Sequence, residues 1–123
     1  MPVPDSNFSP YLYYASVNRV IDGDTVVMDV DLGGRISAQW AMRLYGIDAP
    51  ESRGPTAKAG ADAADHLKWL LTTYPPHHIE TLKDKTDKYG RYLVRIWSTG
   101  DAGMLFEINQ TMVDDGHAKE KTY

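Results

Sequence analysis

Cysteine is missing from all 123 positions of the chain. Disulfides and thiolate metal centres are thereby excluded, while the redox compartment stays open. No apolar run approaches the ~18 residues of a membrane-spanning helix, so no membrane partner is expected. The opening MPVPDSNFSP lacks the basic and apolar regions of a secretory leader, which makes the cytoplasm the expected location. A secreted chain trimmed of its leader would read the same. Internal repeats are missing too, and the seven prolines and ten glycines are scattered rather than gathered into a linker. An excess of positive charge is also lacking. The net charge of −4 argues against a passive polyanion coat.

What is present suits one packed domain over residues 1–123, with a monomer as the expectation. Hydrophobic residues make up 42% and charged residues 24%, which is enough for a core and ordinary for a folded surface. The charge is unevenly placed. Residues 1–52 hold seven Asp/Glu and three Lys/Arg, whereas residues 53–123 hold ten of each. Between Lys83 and Arg95 the balance reverses, with Lys83, Lys85, Lys88, Arg91 and Arg95 facing only Asp84 and Asp87. An acidic half beside a basic strip can bind a cation and a polyanion together, although charge runs are commonly plain solvated surface.

Periodicity predicts three strands, at Tyr11–Val20, Thr25–Val30 and Arg35–Tyr45, joined by the Asp22-Gly23-Asp24 turn and a Gly33-Gly34 hairpin. Helical spacing follows in Ala57, Ala61, Ala64, Leu67 or Lys68, and Leu71. Pro55 suits the helix start, and Tyr74-Pro75-Pro76 ends it. His78–Lys83 and Tyr92–Ser98 read as two further strands. A second helix is expected over Met104–Asp115, with Gly116 as its cap. Five strands suffice to close a small mainly-β barrel of the oligonucleotide-binding (OB) type with two helices packed on it; an open α+β sheet is the alternative.

Three islands carry chemistry: Val20–Val26 (VIDGDTV), Arg43–Glu51 (RLYGIDAPE) and Thr86–Arg91 (TDKYGR). A hard divalent cation wants oxygen ligands held near a rigid turn, and Asp22 and Asp24 offer them. Asp48 and Glu51 flank Pro50, which biases Ala49 away from helix and can hold the two carboxylates in different directions, one on a metal and one on water. Arg43, earlier on its strand, could fork two phosphate oxygens. Tyr89 could stack on a base or bond a phosphate, and Arg91 begins a strand where its backbone would be rigid. Alone, each island reads as well, or better, as a β-turn, a solvated loop with an Arg–Glu pair, or a basic hairpin tip.

In joint order these islands, with the Asn109–Ala118 stretch, resemble the staphylococcal nuclease (thermonuclease) family over about Val17–Lys119. The resemblance implies a five-stranded OB barrel and a calcium-dependent enzyme that hydrolyses DNA and RNA at the 5′ oxygen, leaving 3′-phosphate ends. It implies that Asp24, Asp48 and the Ala49 carbonyl bind one Ca²⁺, and that Glu51 orients or deprotonates the attacking water. Arg43 and Arg91 would stabilise the transition state, Lys88 and Tyr89 would contact substrate, and Asp22 would support the metal loop. The chain departs from the family at Ala49, where threonine is common, in a short loop after Glu51, and in lacking the family's third, C-terminal helix. Thr122 and Tyr123 fall where base-facing tyrosines are expected. A catalytically inactive nucleic-acid-binding module is the alternative, but it has no physical need for Asp24, Arg43, Asp48, Glu51 and Arg91 together. Elsewhere, His77-His78 reads as an exposed pair, and His66 and His117 read as isolated. Trp40, Trp69 and Trp97 read as core or sheet-packing residues, and Met28, Met42, Met104 and Met112 as core.

Overall fold

A computed structural model describes residues 11–75, 77–86 and 90–122, and of residues 83–86 the backbone. Strands β1 (Leu12–Asp22), β2 (Thr25–Gly33) and β3 (Ile36–Leu44) form an antiparallel meander. A two-residue strand β4 (Ile47–Asp48) and a 3-10 turn at Gly54–Thr56 lead into helix α1 (Ala57–Thr73). Next come β5 (His77–Thr86), β6 (Tyr92–Thr99), the short β7 (Leu105–Glu107), helix α2 (Ile108–Asp114) and a second two-residue strand, β8 (Lys119–Glu120).

The main sheet runs β3-β2-β1-β5-β6-β7, and β3 also pairs with β6 in parallel. That extra pairing closes β1, β2, β3, β5 and β6 into the expected five-stranded barrel with two helices. Register shifts at Val17/Arg19 and Val20/Asp22 in β1 supply local bends, as closure of a small barrel requires. The β2–β3 hairpin turns on Gly34 and Arg35, both at positive φ as a tight primed turn demands, one residue later than the glycine pair indicates.

Inward residues of the strands, including Val26, Met28, Val30, Met42, Leu44, Ile79, Val94 and Ile96, form the core with Ile108 and Met112 of α2. Helix α1 covers it with Gly60, Ala63, Leu67, Leu70 and Leu71. The expected stripe therefore holds at Leu67 and Leu71 and is displaced at its start. Ala57 and Ala61 face solvent, and the buried face starts from the glycine. Asn109 locks α2 down. Its Oδ1 accepts from the Ile96 N–H at 3.1 Å, and its Nδ2 donates to the carbonyls of Tyr45 (2.9 Å) and Val94 (3.0 Å). Gly116, at φ 82, ends α2 with the expected cap. Its N–H donates to Val113 O and that of His117 to Met112 O, at 3.0 and 2.9 Å.

Several expectations are corrected. Leu105–Glu107 is strand rather than helix, because its backbone pairs with β6 at Trp97–Thr99 before α2 begins. His77 and His78 are buried, each 2% exposed, because both lie within β5 rather than in a surface loop. The Leu71 carbonyl can only accept, so His77 Nε2–H donates to it at 2.7 Å and the neutral ring's Nδ1 accepts from Ser98 Oγ at 2.5 Å. Burial holds the His77 pKa below its usual value, partly opposed by the Leu71 hydrogen bond. His66 and His117 are not isolated: their rings stack at 4.4 Å, and His66 Nε2 is 2.7 Å from Asp115 Oδ2. Met104 is 72% exposed and Trp69 51%, so neither fills core.

Candidate active site

The cleft begins at the β1–β2 turn. Asp24 is 4% exposed, and both of its oxygens are engaged. Oδ1 accepts from Thr25 Oγ1 at 3.0 Å, and Oδ2 accepts from the Ala49 N–H at 2.9 Å. Arg43 Nη2 lies 3.3 Å from Asp24 Oδ2 and 3.0 Å from Asp48 Oδ1, and it also donates to the Ile47 carbonyl at 3.2 Å. The turn is tight for a packing reason. A Cβ on Gly23 would meet the Cβ atoms of Ala63 at 2.6 Å and Ala49 at 2.9 Å. This glycine is required for close approach to α1 rather than for positive φ.

The Asp48–Glu51 loop is held from two sides. Asp22 Oδ1 accepts from both the N–H (3.2 Å) and the hydroxyl (2.5 Å) of Ser52. Thr56 Oγ1 donates to the Glu51 carbonyl at 2.9 Å. Gly60 lets α1 lie directly on this backbone, since a Cβ there would overlap Glu51 C and O and Ser52 N. The Glu51 side chain itself is exposed. From the far side, β8 pairs with β4, placing Asp48 opposite Lys119.

Arg91 arrives through the barrel closure. The β3–β6 pairing sets Arg43 beside Leu93, two residues after Arg91, and the β2–β3 pairing sets Thr25 opposite Arg43. Arg91 Nη1 then donates to Thr25 Oγ1 at 3.1 Å, the hydroxyl that donates to Asp24. Positions 24, 43 and 91 are distant in sequence and adjacent in space because of these two registers.

A cleft of about 530 Å³ joins these groups. It is lined by Asp22, Asp24, Arg43, Asp48, Glu51 and Arg91, and also by Thr25, Ala49, Ser52, Arg53 and Lys121. All the nominated residues that are described meet here. Lys88 and Tyr89, and the side chains of Lys83 and Lys85, lie outside the described residues. Arg43 is closer to the loop than its place earlier on the strand indicated, and among the described residues its ion pairs are with Asp24 and Asp48. Thr25, Ser52, Arg53 and Lys121 were not nominated. Ser52 next to Glu51 was the one local signal, while Lys121 enters through the β4–β8 pairing, which two residues per strand do not announce.

The donor set fits a hard divalent cation. Asp24 Oδ2 and Asp48 Oδ1 both lie near one cationic atom, Arg43 Nη2, so a positive charge between the two carboxylates is already accommodated. Among the described residues no three acidic or histidine side chains converge on one point, so a cation here would complete its shell from backbone carbonyls and water.

A closed barrel with an arginine–carboxylate cleft at one end defines a class suited to phosphate chemistry. The profile of staphylococcal nuclease homologues matches residues 41–123, which carry Arg43, Asp48, Ala49, Glu51 and Arg91. The chain belongs to that family. Membership points to a nuclease-type or nucleic-acid-binding module. No curated protein matches the chain.

Proposed function

We propose that the protein is a calcium-dependent nuclease that hydrolyses phosphodiester bonds of DNA, and of RNA, on the 5′-oxygen side and leaves 3′-phosphate ends. The observation that carries this is the meeting of Asp24, Arg43, Asp48, Glu51 and Arg91 in one cleft. Asp24, Asp48 and the carbonyl of Ala49 would hold one Ca²⁺; when bound, it supplies Lewis-acid polarisation of a phosphate oxygen. The change from threonine to Ala49 keeps a backbone ligand and removes a hydroxyl. Glu51, exposed to the cleft, orients the attacking water or takes its proton, so that oxygen attacks in line opposite the departing 5′ oxygen. Arg91 and Arg43 face the charge that grows on phosphate. Arg43 now bridges two aspartates through Nη2 alone, and a guanidinium can fork two phosphate oxygens. Asp22, through Ser52, keeps the Glu51 loop in place. Lys88 and Tyr89 would hold the strand.

One observation favours the second reading, an inactive nucleic-acid-binding module: the Arg43 guanidinium already places its own charge between Asp24 and Asp48. Plasmid digestion with Ca²⁺, Mg²⁺ or EGTA, run beside Arg91→Ala, separates the two. The enzyme cleaves with Ca²⁺, fails in EGTA, and loses most of its rate in Arg91→Ala. Cleavage undiminished by EGTA would exclude the metal, and no cleavage under any condition would leave a binder.

A further inference from the structure

The loop that carries Asp48 and Ala49 is hollow on both sides. The cleft lies in front of it. Behind it is a second cavity of about 490 Å³, lined also by Ala59 and Asp62 of α1 and by Gly116 and Ala118 beyond α2. Asp48 and Ala49 line both spaces. A hollow behind the loop removes the close packing that would otherwise set its position. Asp24 is held by its own oxygens, but the Asp48 side chain is 62% exposed, so its place depends on the main chain. That main chain pairs with β8, Asp48 with Lys119 and Ile47 with Glu120, and the Lys121 N–H donates to the Gly46 carbonyl at 2.8 Å. A ribbon of two residues per strand has too few bonds to stand alone, so β8 needs an anchor of its own.

His66 of α1 supplies one from outside the cleft. The Asp115 carboxylate can only accept, so His66 Nε2–H donates to its Oδ2 at 2.7 Å. The His66 ring stacks on His117 at 4.4 Å, and Trp69, three residues on, stacks against His66 at 5.7 Å. Asp115 and His117 flank Gly116, the cap of α2, and Lys119 follows two residues after His117. Contact thus runs from α1 through His66 to His117, along the chain to Lys119 and across to Asp48. We propose that His66 is a positioning residue for Asp48: clasped to Asp115 and His117, it holds β8 against β4 and so sets where the Asp48 carboxylate and the Ala49 carbonyl stand for a divalent cation. This rests on the calcium reading of the cleft, and the family resemblance gives His66, Asp115 and His117 no role.

The test measures Ca²⁺ affinity by isothermal titration, and exchange of the Lys121 amide by NMR, in wild type, His66→Ala, Asp115→Ala and Asp115→Asn. Each alanine variant is expected to weaken Ca²⁺ binding roughly two- to thirtyfold. Each should also speed Lys121 exchange, while the Leu44 amide, bonded to the Asp24 carbonyl at 2.8 Å, keeps its rate. Asp115→Asn keeps an oxygen that accepts from His66 and should restore both readings. The double alanine variant should match His66→Ala rather than add the two losses, because both changes open one clasp. A folded His66→Ala protein with unchanged Ca²⁺ affinity and unchanged Lys121 exchange would overturn the proposal. Equal acceleration of Lys121 and Leu44 would also overturn it, because the clasp would then be a general prop. If His66→Ala does not fold, Asp115→Ala decides by the same readings. A wild type that takes up no Ca²⁺ removes the calcium reading, and Lys121 exchange alone then upholds or refutes the clasp.

Discussion

Asp24 and Glu51 line the same cleft and are held in opposite ways. Asp24 is buried and fixed through its side chain, with an amide, a hydroxyl and a guanidinium on its two oxygens. Glu51 is exposed and fixed through its backbone, by Thr56 and by the close approach of Gly60. A carboxylate held by its oxygens is part of the fold as well as of the site. One held by its main chain keeps its oxygens for water and substrate. The first should therefore be costly to remove on any measure, and the second costly only to chemistry.

The largest effect that would sharpen this contrast is expected from Asp24→Ala. It strips the acceptor from the buried Ala49 N–H and one partner from Arg43, for about 3–5 kcal/mol of stability as a broken buried ion pair, and it should abolish cleavage. Denaturant unfolding measures the first and plasmid digestion the second. A loss within the ±0.5 kcal/mol of ordinary surface changes would break the comparison. A smaller effect is expected from Gly60→Ala. Helix propensity alone predicts a gain of ~1 kcal/mol. The added methyl, however, meets the backbone of Glu51 and Ser52, and overpacking there should cost a net ~1–3 kcal/mol and slow cleavage by displacing Glu51. A stabilised, fully active Gly60→Ala protein would show that the helix does not set the Glu51 backbone.

Much of this was legible in the sequence, for identifiable reasons. The barrel strands were readable because β-branched runs and glycine turns carry local signals, and Gly116 capped α2 as its position indicated. That Asp22, Asp24, Arg43, Asp48, Glu51 and Arg91 share one cleft was foreshadowed because three islands combine carboxylates with arginines. What depends on tertiary pairing was not. Leu105–Glu107 carries helical spacing but joins the sheet because β6 offers an edge. His77 looked exposed beside two prolines but is buried by a hydroxyl and a carbonyl placed to receive its ring nitrogens. The α1 stripe holds at Leu67 and Leu71 but shifts at its start because the helix presses on the loop and turn at Gly60 and Ala63. Arg43 lies across Asp24 and Asp48 through registers that pair residues far apart in the chain, and no spacing encodes that.

The most direct test of the central claim, that these islands build a hydrolytic site with Glu51 on the water side, is the cleavage rate of Glu51→Gln measured with its melting temperature. The expected result is an unchanged melting temperature with a rate lowered by ~10²–10⁴, the usual worth of a positioned general base. Turnover near wild type in the folded Glu51→Gln protein would contradict the account and remove Glu51 from the mechanism.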